Sequence, residues 1–216
     1  GTDTFWPIHF HAIPHDCWGD ITYTRVVCKI CPHKTEQHHT CITIGGNCIC
    51  YPGDMGTKTG SLETIKLLLN STLSTPDVRF TCYDLVNVSL GTPLDHPKYV
   101  CIHLSQIPQE FIDEYNLTQY VLNDWVYFKI TKGVYGLKQA GKLANDLLTE
   151  HLAQHGYYQC ATTPGLWHHK WRPIIFVLIV DDICQNPQCN RNNAQQPNWP
   201  FPSNMKQRKQ IHNGVS

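Results

Sequence analysis

The stretch "RPIIFVLIVDDI" constrains the fold more than any other. The run from Pro173 to Val180 is apolar throughout, yet it falls far short of the roughly 18 residues that a membrane span needs. It has strand length, is rich in β-branched residues and reads as a buried strand. It meets a turn at Asp181 and Asp182, so two carboxylates stand at the strand's end. A second predicted strand, within "VRFTCYDLVNVSLG", delivers Asp84 at or near its own end. Aspartates brought together at the ends of two strands make an oxygen-lined, negatively charged pocket. Such a pocket suits Mg²⁺, which prefers carboxylates, phosphate oxygens and water. An Asp pair after a strand is also ordinary turn chemistry, so the surrounding sequence has to decide.

The rest of the pattern is mixed. "ITYTRVVCKI" alternates like a strand, and "YPGDMGTKTG" carries loop punctuation. In "SLETIKLLLNSTL" Ser61 is a candidate N-cap, with Leu62, Ile65, Leu68 and Leu69 at helical spacing. "SQIPQEFIDEYNL" predicts a short helix, and "DWVYFKITKGVYG" a strand running into a Gly-bounded turn. "AGKLANDLLTEHLAQHG" predicts a helix with Leu143, Leu147, Leu148 and Leu152 on one face and Gly156 at its end. "YYQC" and "GLWHHKW" read as short strands. After Cys184 the chain turns to Asn, Gln and Pro without any period, a composition that cannot bury enough surface to order itself. The expected organisation is a first region at 1–60, a second at 61–184 and a disordered tail at 185–216.

Charge narrows the function classes. The 216 residues carry no formal net charge, so nucleic acid would have to be held by a local groove rather than by a global field. The opening "GTDTFWPIHF" has no basic region followed by an apolar one, so no export signal and no membrane association are expected. The sequons at Asn70, Asn87 and Asn116 then read as chance matches. Eleven cysteines form an odd number that, without export, reads as reduced thiols in an intracellular compartment.

The segment from Asp84 to Ile183 resembles the palm of a retrotransposon reverse transcriptase of the copia-like class. "FTCYDLVNVSLGTPLDHPKYV" matches the first Asp motif, and "KGVYGLKQAGKLANDLLTEHLAQHGYYQ" the glycine–glutamine motif and palm helix. "TPGLWHHKWRPIIFVLIVDDI" matches the Asp-Asp hairpin. Upstream, "TITIGG", "YPGDMGTKTG" and "LLLNSTLSTP" look like the fingers-to-palm stretch, so the resemblance covers residues 20–183. It implies an α+β fingers–palm polymerase-like fragment with an antiparallel palm sheet packed on helices, in which 1–60 is a partial fingers-like region and 61–184 a palm-like catalytic region. It further implies RNA-directed DNA synthesis with Mg²⁺ (or Mn²⁺), an RNA or DNA template with primer, and deoxynucleoside triphosphates. In intact relatives the remainder of a Pol polyprotein is joined to it, in the cytoplasm or a virus-like particle. By the same resemblance Asp84, Asp181 and Asp182 are the catalytic, metal-binding carboxylates, and the Leu85 carbonyl is a main-chain metal ligand. Gln139 contacts the incoming nucleotide, while Gly136 and Gly141 let backbone approach template and nucleotide.

Several positions depart from the family pattern. Basic residues that clamp the triphosphate are expected where "HHTCITIGG" has His39 and Cys41, a task suited to the donor fork of Arg. Cys48 and Cys50 likewise replace basic or polar residues. Ser89 stands where an aromatic excludes the ribose 2′-hydroxyl, and Ile179 where a tyrosine is frequent. Five arginines (Arg25, Arg79, Arg172, Arg191, Arg208) against 13 His, 11 Cys and 6 Trp fit a gene drifting without selection. CpG-containing Arg codons change by single transitions into Cys, His, Gln or Trp codons. The zinc-like "CKICPHKTEQHHTC" is thus explained as former arginine positions, although a non-catalytic zinc- or nucleic-acid-binding remnant is an alternative. The tail resembles out-of-frame translation, implying a truncated, inactive copy whose hairpin lacks its second strand.

A rival enzyme reading rests on "GLKQAGKL", which nearly matches the P-loop G-x4-G-K-S/T ahead of a helix. Leu143 fails it where a hydroxyl must reach Mg²⁺. Lys129 and Lys132 also mark the preceding strand as unlike the buried parallel strand that feeds a P-loop.

Overall fold

A computed structural model of the chain describes residues 3–32, 37–76, 78–85, 87–179, 182–187 and 205–212. Strands β1 (Phe5–Ile8), β2 (Thr22–Ile30) and β3 (His38–Ile44) precede helix α1 (Leu62–Ser74) and β4 (Arg79–Leu85). Next come α2 (Val88–Gly91), β5 (Pro93–His103), α3 (Gln109–Glu114), β6 (Val121–Leu122), β7 (Trp125–Lys132) and α4 (Ala140–Gln154). The chain continues through β8 (Tyr157–Gln159), β9 (Leu166–His169), β10 (Ile174–Ile179), β11 (Asp182–Pro187) and β12 (Met205–His212). The class is α+β. Among the described residues no helix is long and apolar enough to cross a membrane.

Two compact units emerge: residues 1–55 with 89–144, and residues 56–88 with 145–216. They are interleaved along the chain, whereas the sequence suggests contiguous regions at 1–60, 61–184 and 185–216.

In the first unit the sheet order is β1-β7-β5-β2-β3, with β6 pairing β7. Strict alternation in β7 buries Val126, Phe128 and Ile130 and leaves the residues between them half-buried, as a strand with one covered face must. These three join Val100 and Ile102 of β5 and Ile112 and Leu117 of the α3 region in one apolar cluster. Strand β7 is antiparallel to both β1 and β5. Gly136, at φ +101, permits a close backbone approach here: a Cβ on it would meet the Ile44 carbonyl, while Ile44 N–H donates to the Tyr135 carbonyl at 2.9 Å.

In the second unit the sheet order is β12-β4-β11-β10-β9-β8, and every pairing is antiparallel. Helices cover both faces. Leu148 and Leu152 of α4 join Leu85, Trp167, Phe176, Leu178 and Ile183 on one side. Ile65, Leu68 and Leu69 of α1 join Phe80, Cys82, Val177 and Cys184 on the other. That double coverage explains the unbroken apolar run of β10, where a half-solvated strand would alternate.

The helix predictions need adjustment at single residues. Ser61 caps α1, accepting from Thr64 N–H at 3.2 Å, but Leu62 is 60% exposed, because the first turn extends past the sheet's apolar patch. In α4, Leu147 is 49% exposed while Leu148 and Leu152 are buried, since successive helical residues point about 100° apart.

The expectation for the C-terminal region also changes. The β10–β11 hairpin does have its second strand, Asp182–Pro187. Within the region expected to be disordered, residues 205–212 form β12 along the outer edge of β4. Backbone pairing at an open strand edge needs no apolar side chains, which a reading of side-chain composition overlooks. Residues 188–204 and 213–216, where disorder is also expected, lie outside the described residues.

Candidate carboxylate site

Local pattern fixes where the first aspartate goes. Within β4, Phe80, Cys82 and Asp84 have one parity and Tyr83 and Leu85 the other. Leu85, 2% exposed, is anchored among Leu148, Phe176 and Ile183, and Phe80 and Cys82 under α1. Two apolar anchorages on opposite faces hold the strand's register, leaving Asp84 half-buried near the end of β4.

Register then brings the second aspartate alongside. Asp182 is the Cα partner of Asp84 across the β4–β11 ladder, followed by Ile183 with Tyr83 and Cys184 with Cys82. On its other side Asp182 pairs Ile179 and closes the β10–β11 hairpin. The predicted meeting of residues 84 and 182 at one spot is therefore present in the backbone. Asp181 lies outside the described residues. Among the described residues no group of three or more His, Cys, Asp or Glu gathers as a metal site.

The remaining predicted site residues lie in the first unit, apart from Leu85. Gln139 immediately precedes α4 and is 3% exposed; among the described residues its Oε1 has no hydrogen-bond partner. Gly136 makes its close approach to Ile44 of its own unit, a packing reason for the glycine that motif reading alone does not supply. Gly141 is exposed in the first turn of α4, and Ser89 is half-buried in α2. Cys41 is exposed on β3 opposite Val27.

The zinc-like pattern of residues 28–41 is taken apart by pairing. Cys28 sits opposite Thr40, with its Sγ 3.7 Å from the Thr40 hydroxyl, and Cys41 opposite Val27. Cys28 and Cys41 are therefore one register step apart and project from opposite faces of the hairpin, so one tetrahedral ion cannot take both.

One pair escaped the sequence reading. Cys82 and Cys184 are register partners with sulfurs 3.2 Å apart. The signal was present: "CYD" at 82–84 and "DIC" at 182–184 are mirror images, so once Asp84 opposes Asp182 in an antiparallel ladder, the cysteines must oppose each other.

Two groups outside this region are perturbed. Cys160 is lowered to about 7, chiefly by a hydrogen bond from the Thr162 hydroxyl and then by backbone N–H groups of Thr162 and Thr163. Burial, then the nearby Arg172 charge, lowers His169, whose Nδ1 accepts from the N–H groups of Trp171 and Arg172.

Comparison of the chain with protein-family models, curated proteins and solved structures found no match.

Proposed function

We propose that the chain is a fingers–palm fragment of a copia-like retrotransposon reverse transcriptase, built for RNA-directed DNA synthesis. The observation that carries this reading is the Asp84–Asp182 rung, in which two sequence-distant strands set carboxylate residues side by side at a hairpin end. The motif words around those strands supply the rest.

The donor chemistry fits a hard divalent cation. Asp84, Asp181, Asp182 and the Leu85 carbonyl offer only oxygen, which suits Mg²⁺ or Mn²⁺ over softer metals. Such ions supply activation of a primer 3′-hydroxyl and charge neutralisation at a departing pyrophosphate. The chain's own contribution would be the register of the β4–β11 ladder, which sets residues 84 and 182 opposite each other before substrate arrives. By the resemblance, Gln139 would contact the incoming nucleotide. Template, primer and deoxynucleoside triphosphates are the partners, with the remainder of a Pol polyprotein in intact relatives.

This reading is favoured over a P-loop nucleotide-binding protein. A P-loop follows a central parallel strand, whereas β7, ahead of "GLKQAGKL", runs antiparallel to β1, β5 and β6. It is favoured over a zinc-binding remnant by the opposed faces of Cys28 and Cys41.

In this copy the activity is weak or lost. Cys41 cannot donate to a triphosphate as a guanidinium does, and Ser89 lacks the bulk to exclude a 2′-hydroxyl. Primer extension with Mg²⁺ and with Mn²⁺ tests the reading together with Mn²⁺ titration by electron paramagnetic resonance. The unaltered chain should deplete free Mn²⁺, while Asp84→Asn and Asp181→Asn should not. The combination His39→Arg, Cys41→Arg, Ser89→Phe should raise extension at least about tenfold. Equal Mn²⁺ binding by all three proteins, with no extension from the restored chain, would remove the polymerase reading.

A further inference from the structure

We propose that Cys82 and Cys184 are a site of reversible oxidation, forming a cross-strand disulfide that ties β4 to β11. The two are Cα partners in the antiparallel ladder, and their Sγ atoms stand 3.2 Å apart although 102 residues separate them in sequence. Opposite residues in such ladders have Cα atoms about 4.5–5.5 Å apart, inside the roughly 4.4–6.8 Å range that a disulfide spans. The sulfurs have only to close from 3.2 Å to the roughly 2.05 Å of a disulfide bond. Both side chains lie in the apolar cluster under Leu68 and Phe80, which keeps their mutual orientation fixed.

Exposure sets the order of events. Cys82 is half-buried and Cys184 is buried, so Cys82 meets the oxidant. With a hydroperoxide as the oxidant, the Cys82 thiolate attacks the peroxide oxygen, the O–O bond breaks, and a sulfenic acid and hydroxide result. The Cys184 thiol then condenses with that sulfenic acid: the S–S bond forms, the S–O bond breaks and water leaves. Two thiols lose two electrons in total, and one hydrogen peroxide becomes two waters. A dithiol reductant reverses the step by thiol–disulfide exchange.

The consequence follows from spacing. Each cysteine is two residues from an aspartate of the Asp84–Asp182 rung, so the bond would clamp the two strands beside that rung and fix their separation. The chemistry stands whether or not the rung serves a polymerase.

The test uses the full, unaltered chain. It is treated with hydrogen peroxide at neutral pH, then alkylated while denatured, digested and mapped by mass spectrometry. The expected product joins the Cys82 and Cys184 peptides with the loss of two hydrogens, and dithiothreitol reverses it. The oxidised chain should run faster on a non-reducing gel, and its melting midpoint should rise by about 5 °C or more. Linkage of either cysteine to another partner would overturn the proposal. So would sulfinic acid at Cys82 with Cys184 still alkylatable, or equally fast linkage in urea-unfolded chain. Because the mapping needs no variant, a folding failure of Cys82→Ser would not blunt it.

Discussion

Asp84 and Asp182 oppose each other across one rung of the β4–β11 ladder. Like charges directly opposite on adjacent strands destabilise a sheet, and under the polymerase reading a divalent cation would offset such repulsion. Asp84→Asn should therefore stabilise the metal-free protein by about 0.5–1 kcal/mol and erase any stabilisation by Mg²⁺ or Mn²⁺. Thermal melts with and without millimolar cation check both halves. A variant less stable than the parent, and still responsive to metal, would show that Asp84 serves the fold instead.

Under the polymerase reading Gln139 presents the same opposition between stability and use. Its Oε1 is buried with no hydrogen-bond partner among the described residues, and an unmet buried acceptor costs about 1–3 kcal/mol. Gln139→Met keeps the length and removes the polar atoms. It should raise the urea midpoint, corresponding to about 1 kcal/mol, while weakening any stabilisation by deoxynucleoside triphosphates. If the unfolding curve moves to lower urea, the amide is satisfied in solution and its burial is structural.

Much of this architecture was legible because local chemistry and tertiary environment agree. Ser61 caps its helix, β7 alternates, and "IIFVLIV" is apolar throughout because α1 and α4 cover both faces of β10. The Asp84–Asp182 meeting was legible from motif order. Failures arose where neighbours decide. Leu62 and Leu147 obey helical spacing but miss the patch their helices cover. β12 formed along β4 because an open edge recruits backbone irrespective of side chains. The Cys82–Cys184 contact depended on a register that composition does not encode.

Two glycines of the "GVYGLKQAG" segment should respond in opposite ways to alanine. Gly136 combines φ +101 with a site where a Cβ would meet the Ile44 backbone. Gly136→Ala should cost about 2 kcal/mol or more, seen as a lower denaturant midpoint. Gly141 is exposed within α4, where alanine is the better helix former by about 0.5–1 kcal/mol. Gly141→Ala should therefore stabilise. Under the polymerase reading it should also reduce nucleotide-dependent activity of the restored chain, separating a role in substrate approach from a role in folding.

His169 makes stability depend on pH. Its Nδ1 accepts two backbone N–H groups, from Trp171 at 3.3 Å and Arg172 at 3.2 Å, and its ring meets Tyr157 and Trp171 edge-on. Burial, reinforced by the Arg172 charge, lowers its pKa, so the folded chain favours the neutral ring. The unfolded chain, with an ordinary value near 6.5, binds the proton more readily below that pH. Stability from this residue is therefore complete above about pH 6.5 and is lost as the pH falls from there towards the depressed folded value. His169→Asn retains an acceptor for the turn but does not titrate. Urea melts of both proteins between about pH 7.5 and 5.5 should show a steeper acid-side loss for the parent. Parallel curves would mean that protonation of His169 is tolerated in the fold and that its two N–H contacts do not depend on the neutral ring.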